Sequence, residues 1–179
     1  MNTVFTSFPI LTTERLVLRA LTTADHPELW KLRADESGNT YLDRPKHPTS
    51  EDVYEHIRKI EGFTAIHQSL TWVMCPKGSD KLIGSIGLWH YDYEKETVEI
   101  GYELMSGYQG QGFMHEAAQR VINFAFDDMQ AKAIIADTHP ENKRSHALLE
   151  RNNFREDLAY TYSSKEEAGD DRAIYFLVR

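Results

Sequence analysis

The chain has 179 residues, with 20 Lys and Arg against 28 Asp and Glu, and a formal net charge of −8. Its length suits one domain with a full core over residues 1–179, and its acidic balance argues against nucleic acid as a partner. The single cysteine, Cys75, excludes an internal disulfide or a thiolate metal site; with no bilayer-length apolar run and no signal-peptide order, a cytoplasmic protein without a membrane partner is expected.

After a short irregular arm, residues 15–20 (RLVLRA) read as a first strand. Thr22, Thr23 and Asp25 supply helix-start chemistry, with Asp25 and Glu28 spaced as a capping box. Leu29, Trp30 and Leu32 are expected to bury one side of the helix that follows. Residues 38–50 contain two prolines and read as a loop. A second helix, from 51 to about 66, carries Val53, Ile57 and Ile60 on one stripe. Strands are expected next at 70–75, 81–89 and 97–104, joined by turns at 76–80 and 90–95. No helix fits between them, so they read as an antiparallel meander.

The third of these strands alternates cleanly. Val98, Ile100, Tyr102 and Leu104 fall on one side, and Glu99, Gly101 and Glu103 on the other. A polar turn follows, and Gly110 and Gly112 open a long helix. Met114, Ala117, Ala118, Val121, Ile122, Ala125 and Phe126 recur there at three- and four-residue spacing. Strand, glycine turn and helix make a cradle for an anion, because backbone N–H groups and the positive helix end converge. The same glycines also suit an ordinary tight turn. A Walker A loop needs Lys-Ser or Lys-Thr after the glycines, and Phe113 and Met114 stand there instead. A dinucleotide fingerprint needs a glycine at position 115, which is His115. A phosphate held here belongs to some other cofactor.

Residues 133–136 form an apolar, central-looking strand, and a fourth helix runs from about Lys143 to Asn152. Asn153 sits where a helix commonly ends in the left-handed region. Strands at 154–161 and 173–178, separated by a charged loop, complete the chain. Neither a repeat nor a low-complexity tract is present. The eight histidines show no metal pattern: His139 and His146 have no third ligand at suitable spacing, and His26, His47 and His56 are expected at the surface. Trp72, Trp89, Tyr102 and Tyr108 are expected in the core or along a groove rather than in chemistry. Lys143 and Arg144 at a helix start oppose the dipole, which points either to a bound anion or to plain solvent exposure.

Four segments together resemble the GNAT superfamily of N-acetyltransferases, and within it the branch similar to ribosomal-protein N-terminal acetyltransferases. They are residues 13–19 (TERLVLR, followed by Asp25), 99–104 (EIGYEL), 108–117 (YQGQGFMHEA), and 142–145 (NKRS) through 149–154 (LERNNF). The resemblance spans nearly the whole chain and implies an α/β (α+β) fold: a mixed, strongly twisted central sheet with helices on both faces. It implies one domain that uses acetyl-CoA, bound in a splay between the strand at Glu99 and the strand at Ala133. Coenzyme contacts are implied for Leu104, Met105, Gln109, Gly110, Gln111, Gly112, Phe113, Met114, Asn142 and Ser145, with the pyrophosphate on the backbone amides of residues 109–114.

Two catalytic roles follow from the same resemblance. Glu99 matches a position used as base in part of the family, taking the amine proton directly or through water; the alternative is a glutamate facing solvent or paired with a neighbour such as Arg19. Glu103, nearer the turn, is the weaker candidate. Ser145 is implied as proton donor to the leaving sulfur, because Leu149 stands where the family often has a tyrosine; the alternative is an ordinary first-turn serine. Asn142 either bonds the pantetheine arm or caps its helix. Met114 departs from the small residue usual at its position, and Asn153 replaces the usual glycine. Cys75 lies away from these motifs, so a covalent acetyl-cysteine is not expected. The activity implied is direct acetyl transfer to a primary amine, such as the N-terminal amine of a ribosomal or other protein. Small-molecule amine acetylation and non-catalytic acyl-CoA sensing are the alternatives. A monomer or a homodimer is expected, with no metal.

Overall fold

The computed structural model describes residues 1–42, 47–157 and 172–179. Strands β1 (Leu11–Thr12) and β2 (Leu16–Ala20) precede helices α1 (His26–Ala34) and α2 (Ser50–Ala65). Strands β3 (Leu70–Pro76), β4 (Gly84–Asp92) and β5 (Thr97–Leu104) lead to helix α3 (Phe113–Asp127). Strand β6 (Ala133–Thr138), helix α4 (Lys143–Arg151), and strands β7 (Arg155–Glu156) and β8 (Ala173–Val178) follow. The strands form one sheet in the order β1-β2-β3-β4-β5-β6-β8-β7. Among the described residues only β5 and β6 pair in parallel; every other pair is antiparallel.

Alternation along the strands decides which residues face which helices. Trp72, Met74, Ile86, Leu88, Val98, Ile100 and Ile134 point to one face and are covered by α3 through Ala117, Val121 and Ala125. Small alanines let this helix lie close to the sheet. The opposite face receives α1 and α2, where Leu29, Leu32, Val53 and Ile57 close on Val73 and Cys75. Helices thus lie on both faces. Burying each such side chain contributes roughly 1.5–3 kcal/mol before the cost of ordering the chain. The start of α2 is held by a reciprocal cap: Thr49 Oγ1 accepts from the Asp52 N–H at 3.2 Å and the Thr49 N–H donates to Asp52 Oδ2 at 2.7 Å.

The feature that positions the site is an interruption. The parallel β5–β6 ladder pairs Thr97 with Ala133, Val98 with Ile134 and Glu99 with Ile135, and then stops, although both strands continue. This is the splay expected between those two strands. On the other side of β5, Gly87 stands opposite Gly101 and Trp89 opposite Glu99, and a bulge interrupts the ladder between Trp89 and Asp92.

Several local expectations change. Asp25 does not cap α1 with Glu28. It closes a capping box with Thr22, and its carboxylate takes two guanidinium bonds from Arg19, at 2.8 and 2.7 Å. Burial opposes its charge, but Arg19 and Thr22 prevail and hold the carboxyl below the usual range. Trp30 is 44% exposed; its indole N–H reaches the Pro48 carbonyl at 3.0 Å instead of the core. Strand β4 begins at Gly84 rather than 81, with Leu82 and Ile83 buried ahead of it in an irregular lead-in, and it runs on to Asp92. Phe124, absent from the expected stripe of α3, is buried, while Phe126 is only partly so. Part of the expected strand at 154–161 and the charged loop after it lie outside the described residues, as do positions 43–46 of the expected loop at 38–50. Asn153 is left-handed, with φ of 66°. No helix among the described residues is long and apolar enough to cross a membrane.

Candidate active site

Two cavities meet at the β5–β6 opening. The larger, about 620 Å³, lies on the α2 side of the sheet, with Trp89, Glu99 and Glu103 on its floor and Ile60 and Phe63 of α2 above. The smaller, about 410 Å³, runs along residues 109–115 at the start of α3 and along α4. Tyr102, Glu103, Asn142 and Ser145 line both. Side chains from opposite sheet faces can meet at this point only because the ladder has ended.

Glu99 is fixed at both oxygens. Trp89 Nε1–H donates to Oε1 at 3.0 Å, and His90 Nδ1 bonds Oε2 at 2.8 Å. Arg19, the partner considered from sequence, is occupied with Asp25. The carboxylate keeps lone pairs toward the cleft after accepting two bonds. His90 adopts a φ of 48°, an unusual conformation for a non-glycine residue, at the bulge that aims it back at Glu99. The Trp89 ring occupies the space that side chains at two facing glycines would need. A Cβ on Gly101 would come within 2.3 Å of it, and one on Gly87 within 3.0 Å. Glu103 accepts from Ser85 Oγ at 3.0 Å on the same floor.

At the junction, Tyr102 Oη and Ser145 Oγ are 2.8 Å apart. Burial raises the Tyr102 phenol to about 12, although the bond to Ser145 acts in the opposite sense. Tyr102 therefore remains a protonated hydroxyl and a potential donor. Ser145 is itself buried, and its backbone N–H donates to Asn142 Oδ1 at 3.2 Å, so Asn142 does cap α4. Leu149 is turned into the core. The pairing of Tyr102 with Ser145 was not legible in sequence, where Tyr102 read only as a groove residue.

The turn before α3 presents donors. Gly110 and Gly112 have φ of 74° and 83°, conformations open to glycine at little cost. Among the described residues, no protein acceptor takes the N–H of Gly110, Gln111, Gly112, Phe113 or Met114. Space for a Cβ at Gly110 is open. The turn is braced from outside: Arg15 bonds Glu116 at 2.6 Å and the Gln111 carbonyl at 3.0 Å, and lies 4.4 Å over the Phe113 ring. Gln109 Nε2 donates to the Leu104 carbonyl at 3.0 Å, and Arg144 bonds Gln109 Oε1. Arg144 is thus a brace of the turn as well as a cation beside the smaller cavity. Met105 closes a short turn with Tyr108, and Asp35 accepts from the Ser106 N–H at 2.7 Å. Burial opposes the Asp35 charge, yet bonds from Ser106, Gly38 and Ser37 hold its carboxyl down at about 2. The Met114 side chain is buried beneath the turn.

The chain after Asp35 passes over the splay. Gly38 approaches the Leu104 carbonyl, and Tyr41 stacks on His139 with ring centroids 5.0 Å apart. Sequence reasoning missed this bridge, because the two rings are brought together only by the fold. His56, expected at the surface, is partly buried and lines the larger cavity. His146 is engaged by Tyr175 Oη at 2.6 Å and the His139 carbonyl at 3.1 Å. Cys75 is buried, which pushes its thiol up, away from both cavities. Among the described residues, no three His, Cys, Asp or Glu side chains stand together as a metal set.

The acetyltransferase (GNAT) domain family matches residues 15–155, and the chain belongs to that family. It is similar to the uncharacterized N-acetyltransferase YoaA of Bacillus subtilis (strain 168), with 26% identity over 176 residues, covering 96% of this chain and 98% of that protein. A GNAT-family acetyltransferase from Bacillus anthracis shares the fold with a TM-score of 0.79 at 24% identity, over 95% and 98% of the two chains. RimL, a ribosomal L7/L12 alpha-N-protein acetyltransferase solved in complex with coenzyme A, does so with a TM-score of 0.80 at 18% identity, over 95% and 98%.

Proposed function

We propose that this GNAT acetyltransferase, acting as one domain over residues 1–179, moves the acetyl group of acetyl-CoA directly to a primary amine at the junction of the two cavities. The observation that carries this reading is the meeting of an amide-lined cavity and a carboxylate-floored cavity at Tyr102 and Ser145. Acetyl-CoA, when bound, supplies an acyl group activated as a thioester. The residues present suit it: the unpartnered amides of residues 110–114 at the positive end of α3 would hold the pyrophosphate, and Gly110 lets it approach the backbone. Gln109, braced by Arg144 against Leu104, keeps that turn in place, with Phe113 and Met114 completing its wall.

On the acceptor side, Glu99 attracts the ammonium group and takes its proton, leaving a neutral amine as nucleophile. Trp89 and His90 hold the carboxylate in position for that transfer. The hydroxyl pair of Ser145 and Tyr102 donates a proton toward the departing sulfur and is re-protonated from solvent. Asn142 orients Ser145 by capping α4. Every group in this scheme comes from one chain, so a monomer suffices. By its name, the coenzyme-bound relative acts on a protein N-terminus. In this chain the Tyr41–His139 bridge across the cleft favours a small amine over a ribosomal N-terminus.

The test is release of free thiol from acetyl-CoA by the purified protein, against short peptides with Ser, Ala or Met N-termini, polyamines, aminoglycosides, amino acids and arylalkylamines. Turnover of at least one class above background hydrolysis is expected. Tight acetyl-CoA binding with no turnover of any amine would overturn the proposal in favour of an acyl-CoA sensor.

A further inference from the structure

We infer that the acceptor is a small primary amine with a flat apolar body, held between the Trp89 indole and the Phe63–Ile60 edge of α2, its ammonium toward Glu99 and Glu103. The inference rests on the acetyltransferase reading of the site and names its substrate class. It begins at the facing pair Gly87 and Gly101, whose missing side chains leave a trough on the cleft side of β4 and β5. The six-membered ring of Trp89 reaches into that trough, with its Cη2–Cζ2 edge against Gly101, and the same side chain lines the cavity. Phe63, 37% exposed, lines the same cavity from α2. One aromatic ring from the sheet and one from α2 lining the same cavity suit a flat apolar group, since ring pairs attract beyond their area.

Charge orders the slot from end to end. The carboxylates Glu99 and Glu103 lie on the floor beside Trp89, toward the junction at Tyr102 and Ser145. Arg33 of α1 and Lys59 of α2 line the helix side, with the Lys59 ammonium 5.7 Å from the Phe63 ring, and Asp137 on the sheet side is paired with Arg172. A monoamine places its one positive charge against the carboxylates and its apolar body away from them. A polyamine carries further ammonium groups into the region of Arg33 and Lys59 and is repelled. A peptide must continue beyond its first residue, and the stacked Tyr41 and His139 bridge the cleft in its way.

Equilibrium binding by calorimetry, with coenzyme A present, decides the matter. The probes are 2-phenylethylamine, spermidine and a hexapeptide with a free N-terminal serine. Wild-type protein is expected to bind 2-phenylethylamine about tenfold more tightly than either of the others. Trp89→Ala and Phe63→Ala should each weaken it by about tenfold, while Trp89→Phe, which keeps a flat ring and loses the donor to Glu99, stays within about threefold. Phe63 is outside the core, so its variant keeps the measurement independent of folding, and a thermal midpoint for each variant checks this. Tighter binding of spermidine or the peptide, absence of 2-phenylethylamine binding, or indifference to both alanine variants overturns the inference. Thiol release separates the two readings. Turnover of the peptide alone refutes the slot and keeps the acetyltransferase; binding of 2-phenylethylamine as expected, with no amine turned over, keeps the slot and refutes the acetyltransferase.

Discussion

Replacing Gly101 with alanine should disturb the site without touching a charged or polar side chain. The new Cβ would stand 2.3 and 2.5 Å from two carbons of the Trp89 ring. An ordinary carbon–carbon contact is about 3.5–4.0 Å, so the ring must move by about 1.2 Å or more. Trp89 Nε1 sits 3.0 Å from Glu99 Oε1, and a displacement of that size in the ring takes the bond beyond useful length. Overpacking of this kind costs about 1–3 kcal/mol. For a chain of this length each kcal/mol lowers the melting midpoint by about 2–4 °C, so a fall of roughly 2–12 °C is expected. The assay is thermal unfolding of Gly101→Ala, Trp89→Ala and the double variant. With the indole removed the three atoms nearest the added methyl are gone, so the two substitutions should couple by at least about 1 kcal/mol. Acetyl transfer should fall with the single Gly101 variant, because Glu99 loses one of its two fixed bonds. An unchanged midpoint for Gly101→Ala, or the same loss in the Trp89→Ala background, would refute the reasoning.

Three further outcomes follow from the same geometry. Ser145→Ala combined with Tyr102→Phe should lower kcat on the order of 100-fold while the acetyl-CoA KM stays within about threefold, because the α4 cap uses only the Ser145 backbone; unchanged turnover at saturation would sink the acid role. Gly110→Ala meets no atom within 4 Å but forces alanine to a φ of 74°, so it should cost about 1 kcal/mol in stability and raise the acetyl-CoA KM about tenfold with kcat little changed; an unaltered KM would exclude this turn as the phosphate cradle. Asp35 has a folded pKa below its unfolded one, so its stabilisation is complete above about pH 4 and disappears as pH falls through about 2. Melting midpoints of the wild type should therefore decline across that window more steeply than those of Asp35→Asn, and parallel profiles would refute the assignment.

Short-range pattern carried the elements of this protein. The alternation from Val98 to Leu104, the apolar stripe of α3, the glycine turn before it and the left-handed Asn153 each depend on neighbours a few residues away, and each stands in the structure as expected except that the stripe takes in Phe124 and leaves Phe126 partly buried. The expected fold class was implied by the family resemblance of four segments, not by these patterns alone. Errors arose where a side chain had a choice of partners. Asp25 had a local partner in Glu28 and took Arg19 across a turn; Trp30 fitted a helical stripe and found the Pro48 carbonyl instead. The site itself belongs to this second kind. Tyr102 and Ser145 are 43 positions apart, and Tyr41 and His139 are further apart still. The sequence by itself determined the strand, the turn, the helix and the chemical types available. Which of those groups meet was decided by the tertiary structure, through the β4–β5 register that sets Gly87 against Gly101 and the parallel ladder that stops after Glu99 and Ile135. Register and splay are properties of whole strands packed between helices, and no periodicity within one segment encodes them.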